Sequence, residues 1–145
     1  MKFYEAIELG NTLIGENHSA YYDSDTNCGC ALGSAMAAIG KDLNSMQFGV
    51  FHGFQAATIE AWPWTGLPVS DFPELWAVST ENGRSLTEYS NNTVAMAVSH
   101  IHCALGVPRM KIAKMLKPIE DALEAKSIQP PSEAKAARRQ SEGVA

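Results

Sequence analysis

Residues 27–40 read NCGCALGSAMAAIG, two cysteines one residue apart followed by a run of very small side chains. The spacing predicts a helix over 29–40, with Ala31, Ala35 and Ala38 along one stripe and Leu32, Met36 and Ile39 beside it. Alanines let another backbone come close while the larger side fills a core, so this helix is expected at the centre of the fold. Asn27 stands where an N-cap belongs, and Gly40 where a glycine ends a helix.

Working outward, Phe3, Ile7, Gly10 and Ile14 share a helical face with Ala6 and Leu13 beside them, which predicts a helix over 2–14 stopped by Gly15. Residues 16–29 are polar and turn-rich, with Tyr21 and Tyr22 as their bulky pair, and read as a loop or short extended excursion. Met46, Val50, Phe54, Ala57 and Ala61 predict a helix over 46–62, weakened by Gly49 and Gly53 and ended by Pro63. The stretch WPWTGLPVSDFPELW carries a short helix through about Val78, and a polar loop follows over 79–93. Val94, Val98, Ile101 and Leu105 predict a helix over 93–105, closed by Gly106. Pro108 opens the last helix at its first position, and Ile112, Leu116, Ile119 and Leu123 carry it to Lys126. Pro118 is expected to kink or split it. From Ser127 the chain has no apolar payload, which predicts a disordered or partner-ordered tail over 127–145 behind a helical domain over 1–126. The expected fold is therefore all-α, a compact single-domain bundle of about five helices with a flexible C-terminal tail.

With 145 residues, 46% hydrophobic and 19% charged, the composition is that of a globular domain. A formal charge of −5 argues against general nucleic-acid binding, and no apolar run reaches the length of a membrane span. The acidic N-terminus does not resemble a signal peptide, so the expected location is cytoplasmic. Three cysteines in such a chain do not suggest a disulfide framework. No Walker loop, dinucleotide fingerprint, nucleophile elbow or His-Glu-x-x-His occurs, and the expectation is a protein that is not an enzyme.

Three constellations remain. Cys28, Cys30 and Cys103 with His100 offer sulfur and nitrogen donors for zinc, because His100 and Cys103 are three apart on a helix. His102 points to nearly the opposite side from His100. Cys30 at a helix start is also a candidate nucleophile, with His18, His52, His100 and His102 as sequence-distant bases. Trp62, Trp64 and Trp76, with Tyr21 and Tyr22, are candidate docking residues for a partner protein. The last helix and Arg138-Arg139 leave a weak nucleic-acid binder as a further alternative.

AIELGNTLI, NCGCALGSAMAAIG and PRMKIAKML together resemble a group of short bacterial and prophage proteins that pair an Ala-rich "CALGAA" helix with a C-terminal Arg-x-x-Ile-Ala-x-Trp helix. The resemblance covers residues 5–40 and 100–117. It rests on Cys30-Ala31-Leu32-Gly33 and on Arg109 with Ile112-Ala113. The chain departs from the group at Ile101-His102-Cys103, where Leu-Asn-Asp is usual, and at Met115, where an aromatic is usual. The resemblance implies a phage or mobile-element setting. The expectation that follows is a non-enzymatic accessory protein acting by protein–protein binding, inhibition of a host-defence component being one form of it. A small metal- or ligand-binding protein using Cys28, Cys30 and Cys103 is the alternative.

Overall fold

The computed structural model describes residues 1–47, 53–79 and 93–128. Of the tail expected over 127–145 and the loop expected over 79–93, residues 129–145 and 80–92 lie outside the described residues, as do the middle of the helix expected over 46–62 and the candidate base His52. The described residues are mainly helical: α1 (Phe3–Leu13), α2 (Ala31–Ala38), α3 (Leu43–Gln47), α4 (Gly53–Ala61), α5 (Pro73–Ser79), α6 (Val94–Cys103) and α7 (Arg109–Ile128). None of them is long and apolar enough to cross a membrane.

The fold is not purely all-α, because the polar excursion after α1 pairs into a small sheet. Its strands are β1 (Gly15–Glu16), β2 (Tyr22–Asp23) and β3 (Cys28–Gly29). β3 lies in the middle, parallel to β1 with Gly15 opposite Cys28, and antiparallel to β2 with Tyr22 opposite Gly29. Asn27 turns the β2–β3 connection with φ 52° and accepts from the Tyr22 hydroxyl, so it is a turn residue and not the cap of α2. Cys30 takes the N-cap position, and its carbonyl accepts the first helical bond from Ser34.

α2 sits at the centre, as its small residues require. At Gly10 of α1 a Cβ would lie 1.8 Å from the Ser34 carbonyl oxygen, so the two helices touch backbone to backbone. The Ser34 hydroxyl donates to the Ile7 carbonyl across the same contact at 2.9 Å. Buried Leu32 and Met36 join Phe3, Ile7, Phe54, Leu75, Ile101, Ile112 and Leu116 in one core.

α7 closes the bundle against α1. Of the kink or split expected at Pro118, the split does not occur: one helix runs through that residue. Pro118 and Lys114 are both exposed, so the missing bond to the Lys114 carbonyl falls on the solvent side, where that carbonyl is not shut away from water. Glu120, buried on the inner side, accepts the backbone N–H groups of Phe3 at 2.7 Å and Tyr4 at 3.0 Å. It thereby satisfies the start of α1, where a carboxylate also suits the helix dipole.

The other end of α7 is anchored by Arg109, only 1% exposed. Its Nε donates to Asn11 Oδ1 at 3.0 Å, and its Nη1 to the carbonyls of Gly15 at 3.0 Å and Gly29 at 3.2 Å. Nη2 donates to the Ile14 carbonyl at 2.8 Å. One guanidinium thus joins the end of α1, β1, β3 and the start of α7. Arg109→Ala is expected to destabilise the protein by about 3 kcal/mol or more in urea unfolding, because buried carbonyls lose a charged donor. Arg109→Lys should recover only part of this, since one ammonium cannot reach acceptors on three segments; a loss below about 1 kcal/mol in both variants would contradict the clasp.

Candidate functional site

Extended backbone puts side chains two residues apart on one face, and the β1 pairing continues through Asn17, whose N–H donates to the Gly29 carbonyl at 3.0 Å. Glu16 and His18 consequently meet the same partner, His102, from the last turn of α6. His102 is fully buried, whereas Glu16 and His18 reach solvent. Its Nε2 lies 2.9 Å from Glu16 Oε2, and His18 Nε2 lies 3.3 Å from that same oxygen. The two imidazoles stack with centroids 4.1 Å apart and planes 17° apart.

The hydrogen bonds fix which nitrogen of His18 carries a proton. His18 Nδ1 is 2.8 Å from the His102 carbonyl oxygen, which can only accept, so Nδ1–H donates. The Nε2 position of His18 is left facing a carboxylate oxygen, and a lone pair there would be repelled. Positive charge relieves the repulsion, as a proton on Nε2 or as a metal ion between the two atoms. Glu16 Oε2 is further held by the Arg109 backbone N–H at 3.1 Å. Burial pushes the Glu16 carboxyl up, but the hydrogen bonds and charges of His102 and Arg109 outweigh it and hold the group below its usual range.

The other nitrogen of His102, Nδ1, faces Cys103 Sγ at 3.9 Å. Cys103 also hydrogen-bonds Cys30, and the two sulfurs shift in opposite senses. The Cys30 hydrogen bond, followed by that of His102, draws the Cys103 thiol well below its usual range. Burial, followed by the Cys103 contact, drives the Cys30 thiol up. Half-buried Cys103 opens onto a pocket of about 220 Å³ lined by Ser19, Ala20, Tyr21 and Ser99.

No protein-family model, curated protein or solved structure matches the chain. The site therefore rests on its own geometry.

Of the donors singled out in the sequence, Cys30 and Cys103 come together, while the Cys28 thiol donates to the Thr26 carbonyl at 3.3 Å. His100 lies outside the cluster of converging metal-type donors, which among the described residues is Glu16, His18 and His102. The aromatic candidates are packed in or against the core. Trp62 is buried beside Phe3 with its indole N–H on the Met1 carbonyl, and Trp64 donates to Glu120. Tyr22 is buried, Tyr21 stacks on Phe54 at 5.2 Å, and Trp76 is half-buried against the core.

In the sequence His18 reads only as a distant base for Cys30, His102 is weighed as a zinc ligand and gives way to His100, and Glu16 is passed over. The local signal was Glu16-x-His18 in an extended stretch; the third member is remote, and nothing in the spacing selects His102 over His100. Iodoacetamide on the folded, reduced protein is expected to label Cys28 and Cys103 and leave Cys30 unmodified until denaturant is added, as read by peptide mass spectrometry. Early labelling of Cys30 would contradict its burial.

Proposed function

We propose that this protein binds a divalent transition-metal ion through Glu16, His18 and His102. The observation that supports this most strongly is the approach of both Nε2 atoms to one carboxylate oxygen, at 2.9 and 3.3 Å. Ligand atoms around one such ion stand roughly 3.0–3.4 Å apart when the bonds are about 2.1 Å long. Two imidazoles and a carboxylate suit zinc and its neighbours in the first transition row. His18 also has an outer partner of the kind that metal-bound histidines use, a backbone carbonyl. His18 Nδ1–H donates to the His102 carbonyl, and His102 Nδ1 has the Cys103 sulfur before it.

Exposed Glu16 and His18 leave the remaining coordination positions on the solvent side. We read the function as binding, without a catalytic step. Docking of a partner protein through Trp62, Trp64 and Trp76 has less support, because two of those indoles hydrogen-bond inside the fold.

Titration of untagged, reduced protein with zinc chloride by calorimetry and native mass spectrometry tests the reading. One ion per chain is expected. His18→Ala, at an exposed position, should weaken binding tenfold or more, while Cys28→Ser and His100→Ala should leave it unchanged. Absence of stoichiometric binding would overturn the proposal. So would binding that survives His18→Ala and is lost in Cys28→Ser.

A further inference from the structure

The two sulfurs beside this cluster belong to no donor set, and they carry a separate inference. We propose that Cys30 and Cys103 form a peroxide-oxidisable thiol pair that closes to a disulfide between the N-cap of α2 and the last turn of α6. Three observations carry it. The Cys30 N–H donates at 3.1 Å to the carbonyl of Tyr21, a residue that lines the Cys103 pocket, so the two cysteines meet at one place, where each thiol acts on the other. Their exposures divide the labour: Cys103 is half-buried at a pocket, and Cys30 is fully buried behind it. The third cysteine stands apart, its thiol turned to the Thr26 carbonyl of its own turn.

The pocket at Cys103 is walled by small and hydroxyl-bearing side chains, Ser19, Ala20 and Ser99, with Tyr21 at its side. At about 220 Å³ it admits hydrogen peroxide or a small alkyl hydroperoxide. The Cys103 sulfur attacks the outer peroxide oxygen, forming an S–O bond as the O–O bond breaks. The thiol proton leaves with the departing oxygen, as water or an alcohol, and Cys103 becomes a sulfenic acid. The Cys30 sulfur then attacks the Cys103 sulfur. An S–S bond forms, the S–O bond breaks, and the hydroxyl departs as water with the Cys30 proton. One peroxide is reduced and two thiols are oxidised. An accessible sulfur backed by a second thiol is the usual arrangement of a redox-sensing pair, because the second thiol intercepts the sulfenic acid before it oxidises further.

The inference does not depend on metal binding, since neither sulfur is among the converging donors. The full chain, reduced and then freed of reductant, is exposed to equimolar hydrogen peroxide with a chelator present, quenched with an alkylating agent, and mapped without reduction. The expected product has lost two hydrogens, yields one cross-linked peptide pair containing Cys30 and Cys103, and carries the alkyl group on Cys28 alone. In Cys30→Ser the Cys103 sulfenic acid should persist and be trapped by dimedone. In Cys103→Ser the other two thiols should remain free, which keeps the test valid should the buried Cys30 substitution impair folding. Three free thiols in the treated wild type, a bridge that includes Cys28, or oxygen addition to Cys103 without cross-linking would each overturn the proposal.

Discussion

The guanidinium of Arg109 is the point at which the end of α1, two strands and the start of α7 become one structure. Its charge is buried, and it is tolerable there because its donors find one side-chain and three backbone oxygens. A sheet of two-residue strands does not hold itself together. Here the carbonyls of β1 and β3 are also tied to a helix that packs on α1. The same residue reaches the candidate site, since its backbone N–H holds Glu16 Oε2. Clasp and cluster are therefore coupled, and the carboxylate that faces both imidazoles is placed by the element that closes the bundle.

At the opposite end of the α1–α7 contact, Glu120 holds the start of α1. Asp121 beside it is paired by Lys2 at 2.7 Å and Lys117 at 2.9 Å. These ion pairs draw its carboxyl down to about 2, the Lys2 hydrogen bond first. The contribution is full above the ordinary carboxylate range and is lost as pH falls through that lower value. α1 is thus pinned at both ends by α7, and the Gly10–Ser34 approach pins it to α2. That leaves the residues after α1 free to form a small sheet whose outer edge carries Glu16 and His18.

Much of the helical layout was legible because apolar spacing reports buried faces directly. Phe3, Ala6, Ile7 and Gly10 do form the inner side of α1, and Gly40 and Gly106 do adopt the positive φ that helix ends favour. The sheet was not legible, since strands of two residues have no period and their pairing is set by Arg109 from far along the chain. Asn27 looked like a cap because turn residues and caps share the same chemistry. A split at Pro118 was one expected outcome because the sequence does not say which side of the helix faces water. At the site the individual residue types were visible, but His102 was set aside for His100 on helical spacing to Cys103. The deciding contact, between an extended segment and a helix end, is long-range.

The proposed metal site is tested most directly by the environment of an added ion. X-ray absorption at the zinc edge of the zinc-loaded, reduced protein reads that environment. A first shell of nitrogen and oxygen only, at about 2.0–2.1 Å, with the outer scattering of two imidazoles, is the predicted result. A sulfur shell at about 2.3 Å would place the metal on the cysteines and contradict the account.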